Sequence, residues 1–223
     1  MVPGIRLVLL GKQGAGKGTQ CVRLARHYVV SHVSTGDIFR AAVRTGTEFG
    51  LQLKQYLDAG ELVPDEVTLG AVDERLHHHD TEHRGFILDG FPRSVSQADG
   101  LEKLLDPYKL DMVVDLHIST DEALSRLAGR RVCSTCQTIY HVSKPPKYDW
   151  TCDNCGGDVV QRDDDTDDAI RRRLHLYDTE TKPLIDYYSE RGMLITVDGM
   201  GSTDEVADRL TGAIDRRREQ ANA

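Results

Sequence analysis

The chain has 223 residues, 39% of them hydrophobic and 29% charged. That is enough apolar material for one core, in the proportions of an ordinary globular protein, and it excludes a disordered or fibrous chain. Twenty-eight Lys and Arg stand against 36 Asp and Glu, a formal charge of -8, which excludes a surface that tracks nucleic acid throughout but leaves room for a local basic cleft.

The first stretch, "MVPGIRLVLLG", is too short in its apolar part for a signal peptide or a membrane span, so a cytoplasmic, untargeted protein is expected. Within it "IRLVLL" at 5–10 is rich in branched residues and suits a buried parallel strand. A helix is predicted from Lys17 towards Tyr28, with Cys21 as inert core among its apolar positions. "SHVSTGD" at 31–37 is a weaker strand candidate, and residues 34–63, mostly helical in pattern, read as an insertion. After Pro64 a helix over 65–76 opens on Asp65 and Glu66 and repeats Leu69, Val72 and Leu76 three and four apart. The "HHH" at 77–79 reads as a solvated helix end. "FILDG" at 86–90 and "MVVDLHI" at 112–118 are further strands, and "STDEALSRLAG" at 119–129 is a helix with a cap at its start and Gly129 at its end. Residues from about 129 to 165 form a second insertion. Pro183 should kink or divide the helical stretch 167–190, and "LITVDG" at 194–199 is the last strand. Strands alternating with helices predict a three-layer α/β domain with a parallel sheet and its ligand at the carboxyl ends of the strands.

Gly11, Gly16 and Lys17 fit the GxxxxGK phosphate-loop spacing between a strand and a helix. Glycines let backbone N–H groups curl around a phosphate, the helix start adds positive potential, and Lys17 can reach the terminal phosphates. The residue after Lys17 is Gly18, so the hydroxyl that usually meets magnesium is displaced to Thr19.

Five cysteines are an odd number, and four of them form two pairs, "CSTC" and "CDNC", fifteen residues apart. In a reducing compartment this spacing indicates a metal: Cys133, Cys136, Cys152 and Cys155 fill a closed tetrahedral site, structural rather than catalytic, with zinc preferred over iron. An insertion of under forty residues cannot bury a sufficient core, and a metal staples it. Tyr140, Tyr148 and Trp150 are expected to form its small apolar centre. A nucleic-acid-binding ribbon is the rival reading, but Gly129–Asp164 carries five cations and five anions, not the basic face such a module needs.

"GAGKGTQ", "STGDIFRAAV" at 34–43, "ELVPDE" at 61–66, "LDGFPRS" at 88–94 and "GRR" at 129–131 together resemble the adenylate kinases, in the same order over nearly the whole chain. The resemblance implies a core of 1–33, 64–128 and 166–223 around a five-stranded parallel sheet, a helical AMP-binding domain at 34–63 and a lid at 129–165, in the branch whose lid carries four cysteines. It implies reversible transfer of the γ-phosphoryl group of MgATP to AMP, giving two ADP, by a monomer without nucleic-acid or membrane partners. Lys12 and Gln13 stand where that family usually has a small or variable residue followed by Pro, which implies a phosphate loop less rigid and locally more positive. By the same resemblance ATP meets Gly14, Ala15, Gly16, Lys17, Gly18, Thr19, Arg126, Arg130, Ile139, Tyr140 and Gly201. AMP meets Thr35, Arg40, the Glu61–Leu62–Val63 backbone, Gly90, Phe91, Pro92, Arg93 and Gln97. Arg162 and Arg173 reach the phosphates, Lys17, Arg93, Arg130, Arg162 and Arg173 are catalytic, and Asp89 holds magnesium through water. Another nucleoside monophosphate kinase, with a UMP, CMP or GMP acceptor or a GTP donor, is the enzyme alternative.

Overall fold

The computed structural model describes residues 4–222. In chain order its first elements are β1 (Ile5–Leu10), α1 (Lys17–Tyr28), β2 (Ser31–Ser34), α2 (Thr35–Arg44), α3 (Glu48–Ala59), α4 (Asp65–Leu76), α5 (His79–Arg84) and β3 (Gly85–Asp89). They continue with α6 (Val95–Leu105), β4 (Met112–His117), α7 (Thr120–Ala128), β5 (Arg130–Cys133), β6 (Ile139–His141) and β7 (Val159–Val160). The chain closes with α8 (Asp167–Leu176), a π-helical turn (Tyr177–Thr181), α9 (Pro183–Glu190), β8 (Leu194–Asp198) and α10 (Thr203–Asn222).

Five parallel strands in the order β2-β3-β1-β4-β8 make the main sheet. Because successive side chains on a strand point to opposite faces, β1 divides its residues between two cores. Ile5, Leu7 and Leu9 pack with Cys21, Leu24 and Tyr28 of α1 and with Leu210 and Ile214 of α10. Val8 and Leu10 pack with Phe86, Leu88, Val72, Leu101 and Tyr188 on the other face. Both faces are covered, as a parallel sheet of apolar strands requires.

Local chemistry sets many of the boundaries. Ser34, Thr47, Ser94, Ser119 and Thr166 each accept a backbone N–H from the first turn of the helix they precede, satisfying a donor with no intrahelical partner. Pro183 lacks an N–H, and the helical stretch is divided there. α8 ends at Leu176, the Lys182 N–H reaches back to the Tyr177 carbonyl at 2.7 Å, and α9 restarts with Pro183 in its first turn.

The cysteine-bearing insertion holds a three-stranded antiparallel sheet, β6-β5-β7. Its apolar centre differs from the expectation. Tyr140 packs against Cys133, Cys152 and Val159, but Tyr148 is 77% and Trp150 40% exposed. Strands of two to four residues enclose too little volume to cover three aromatic rings. The histidines at 77–79 are exposed, and they lead into α5, a short polar helix with no apolar repeat to announce it. Among the described residues no helix is long and apolar enough to cross a membrane.

Candidate nucleotide cleft and metal centre

The loop between β1 and α1 turns at Gly11, Gly14 and Gly16, all at positive φ. Gly14 is fixed by more than its φ of 82°, because a Cβ there would stand 2.8 Å from the Ala123 carbonyl oxygen. Glycine therefore lets the loop lie against α7. Lys17 curls back over the loop, its Nζ donating to the carbonyls of Gly11 at 2.6 Å and Lys12 at 2.9 Å. Burial lowers its pKa, with Asp89 opposing the shift. Lys12 turns to the outside instead, donating to Thr120 Oγ1 at 2.5 Å with Asp178 3.7 Å away. The loop is braced by this residue rather than loosened, and the added positive charge is met by a carboxylate.

The loop opens into a cleft of about 1110 Å³. Gly14, Ala15, Gly16, Lys17, Gly18, Thr19, Arg126, Arg130, Ile139, Tyr140 and Gly201 line it, as do Thr35, Arg40, Glu61, Leu62, Val63, Gly90, Arg93, Gln97, Arg162 and Arg173. Phe91 and Pro92 do not. Both are buried, against a separate cavity of about 50 Å³ behind Gly90 and Arg93.

Hydrogen bonds from three sides position the cationic groups. Arg93 Nε donates to the Gly90 carbonyl at 2.8 Å, and the Arg93 N–H donates to Gln97 Oε1 at 2.8 Å. Gln97 Nε2 in turn donates to Asp65 at 2.7 Å, so both ends of this buried amide are engaged. Thr35 Oγ1 donates to the Gly90 carbonyl at 3.0 Å. Arg126 joins the Ala15 and Gly199 carbonyls at 3.3 and 3.1 Å. Arg130 is held on both oxygens of Asp165, and Arg173 donates to Asp164 at 2.6 Å and to the Leu57 carbonyl at 2.8 Å.

These cations are crowded and poorly hydrated. The Arg162 guanidinium is pushed down to about 9, first by burial and then by Arg130 and Arg40. That of Arg93 is pushed down to about 10 by burial and then by Arg173. The Nε atoms of Arg40 and Arg162 are buried without a hydrogen-bond partner. An unsatisfied buried donor on a charged group is costly, and an anion entering the cleft removes that cost.

Asp89 ends β3 and is 9% exposed. Burial pushes its carboxyl up, but His32, Lys17 and Arg93 outweigh this and hold it below its ordinary range. A Cβ on Gly18 would stand 3.4 Å from Asp89 Oδ2, so the glycine after Lys17 keeps the space over that oxygen clear. An ionised carboxylate with free space above it fits water-mediated magnesium.

In the insertion, Cys133 Sγ lies 3.4 Å from Cys155 Sγ, and Cys136 Sγ lies 3.5 Å from Cys152 Sγ. Tetrahedral zinc with sulfur at about 2.3 Å places sulfurs about 3.8 Å apart, so four converging thiols fit that ion. The N–H groups of Cys136 and Asn154 and the Tyr140 hydroxyl each point to a sulfur at 3.4 Å, the outer hydrogen bonds that orient metal ligands. A bond with Thr138 draws the Cys136 thiol down to about 5, towards the thiolate a metal needs.

Several neighbours of the cleft escape motif reading. Asp164 and Asp165 pair with the arginines, Asp65 fixes Gln97, and His32 faces Asp89. The run "DDDTDD" at 163–168 signals carboxylates beside an arginine-rich helix, but does not say which are buried.

Residues 9–193 match the family model described as "Adenylate kinase". The chain is 48% identical to an adenylate kinase of Thermodesulfovibrio yellowstonii over 216 residues, 96% of this chain and 100% of the relative. It is 47% identical to one of Streptomyces avermitilis, over 95% of this chain and 98% of the relative. It is 49% identical to one of Bacillus velezensis, over 91% and 94%. The residues matched by the family model include the phosphate loop, the cleft arginines from Arg40 to Arg173 and both cysteine pairs. The chain belongs to the adenylate kinase family.

Proposed function

We propose that the protein transfers the γ-phosphoryl group of MgATP reversibly to AMP, giving two ADP. The observation that carries this reading is the convergence of Lys17, Arg40, Arg93, Arg130, Arg162 and Arg173 on one cleft with the phosphate loop, two of them with unpartnered buried donors. ATP would be held by residues 14–19, Arg126, Arg130, Ile139, Tyr140 and Gly201, and AMP by Thr35, Arg40, the 61–63 backbone, Gly90, Arg93 and Gln97. Phe91 and Pro92 would support the AMP site from behind rather than touch the nucleotide. Residues 34–63 would act as the AMP-binding domain and 129–165 as the lid.

An oxygen of the AMP phosphate attacks the γ-phosphorus of ATP, and the bond from that phosphorus to the β-bridging oxygen breaks as ADP leaves. Charge spreads over the moving group, so catalysis consists of alignment and cations. Lys17 and the arginines supply both. The acceptor phosphate, with a second pKa of about 6, is already largely ionised near neutrality and no general base is needed. Magnesium bound with ATP would neutralise phosphate charge, and Asp89 is the residue to hold it through water. Cys133, Cys136, Cys152 and Cys155 would hold zinc, which contributes stability to the lid rather than chemistry.

The test is diphosphate formation from MgATP with AMP, GMP, CMP or UMP. Rapid ADP formation with AMP, abolished in Lys17→Ala, is the expected result. Preference for another base moves the protein to a sister specificity, and no transfer to any acceptor overturns the reading.

A further inference from the structure

Cys21, His32 and Asp89 come from three different elements, α1, β2 and β3, and meet beneath the phosphate loop. One ligand atom of each, a sulfur, an imidazole nitrogen and a carboxylate oxygen, lies within 4.8 Å of the other two. The topology produces this meeting. β2 pairs in parallel with β3, placing Ser34 opposite Asp89 and His32 opposite Ile87, while Cys21 is fully buried on the face of α1 that packs on the sheet. His32 Nε2 is buried and makes no aligned hydrogen bond, although Asp89 Oδ2 is only 3.5 Å away. An imidazole nitrogen left in this state beside a carboxylate and a thiol has an electron pair or a proton with no settled partner.

We propose that Cys21, His32 and Asp89 form a second metal site, which takes a thiophilic divalent cation such as zinc and competes with magnesium for Asp89. One sulfur, one imidazole and one carboxylate are three ligands of the kinds zinc accepts. They suit magnesium poorly, because magnesium requires six oxygen ligands in near-ideal octahedral geometry. Softness therefore separates the two cations at one carboxylate. Cys21 releases its thiol proton to solvent when sulfur binds the cation. The thiolate and carboxylate then balance the two positive charges, and no net charge is left buried. His32 and Asp89 line the nucleotide cleft, which provides the entry path and room for water as a fourth ligand. The relation to the lid cysteines is one of chemistry only, since those four sulfurs form a separate cluster.

That magnesium is displaced from Asp89 rests on the proposed kinase reading, whereas the binding of the cation does not. The experiment is accordingly a count of bound metal. The full chain, first loaded with zinc, is dialysed to equilibrium against zinc without nucleotide, and bound metal is measured for the wild type, Cys21→Ser and His32→Gln. Two equivalents in the wild type and one in each variant is the expected result, the remaining equivalent being that of the four lid cysteines. One equivalent in the wild type, or two in either variant, overturns the proposal. His32→Gln keeps the test decisive should the buried Cys21→Ser substitution impair folding. In the activity arm, added zinc should slow wild-type transfer in a way that excess magnesium relieves. If no acceptor is phosphorylated at all, the count still decides whether the site exists.

Discussion

Lys12 and Lys17 lie five positions apart on one loop, yet their amines do different work. Lys17 covers the carbonyls of the loop inside the cleft, where it would meet phosphate. Lys12 crosses to Thr120 and to the half-exposed Asp178, and a pair of that kind is worth about 0–1 kcal/mol. Lys17→Ala should therefore lower kcat/KM for ATP about a hundredfold or more, the cost of removing a preorganised charge from a transferring phosphoryl group. Lys12→Ala should change it by less than about fivefold, the equivalent of 1 kcal/mol. Steady-state kinetics with varied ATP checks both, and a large loss in Lys12→Ala would place its amine at the phosphates. Asp165 is a stronger case for stability. Its side chain is wholly buried between Arg130 and Arg173, and removing one partner of a buried ion pair costs about 3–5 kcal/mol, because the remaining charge is stranded. Asp165→Asn should lower unfolding free energy by about that amount in urea titration, with the substitution changing almost no volume. A shift no larger than that of an exposed control such as Asp163→Asn would show that the arginines find other partners.

At the scale of elements, the cysteine module has the least to hold it together. Its buried cluster is Cys133, Cys152 and Val159, with Cys136 and Tyr140 against them, and three of those five are proposed metal ligands. Removing zinc with a chelator should thus raise amide hydrogen exchange across 130–162 before it affects the main sheet, and Cys152→Ser should do the same without chelator. Equal loss of protection in β1 and β4 would mean that module and core unfold as one unit. The contrast with the core also explains what could be read from sequence. The inner strands β1, β3 and β4 are mostly apolar runs, legible because both faces are buried, whereas the edge strand β2, Ser31–Ser34, has a single buried Val33 and little pattern to announce it. β5, β6 and β7 are two to four residues long and owe their pairing to the cysteines around them, so periodicity is silent on them. The same holds at the cleft. The phosphate loop and the arginines lie in recognisable local motifs, whereas Asp65, Asp164, Asp165 and His32 act on side chains brought near by the fold, and no spacing along the chain announces them. Tyr148 and Trp150 show the opposite failure, since aromatic character implied burial where the module was too thin to provide it.

Across the whole molecule, a chain of net charge -8 gathers two lysines and eight arginines around one cleft. The compensating carboxylates are placed where the cations are densest, and this gives the stability a defined dependence on pH. Burial pushes the Asp164 carboxyl up, but Arg173 and Arg162 outweigh it and hold the group below its ordinary range. Asp89 is held down in the same direction by His32, Lys17 and Arg93. For a carboxylate whose folded pKa is depressed, the unfolded chain binds the proton first as pH falls. The stabilisation is complete above the unfolded value of about 3.9 and is lost as pH descends through the folded one. Unfolding free energy should accordingly be insensitive to these two groups near neutrality and decline below about pH 4. Asp164→Asn should start lower at neutral pH, because Arg173 loses its charged partner, and should then decline less steeply, because one of the two titrating groups is gone. Urea midpoints measured from pH 7 down to about pH 3 for both proteins separate these effects. Curves that fall in parallel would assign the acid sensitivity to other carboxylates and would remove Asp164 from the charge balance of the cleft.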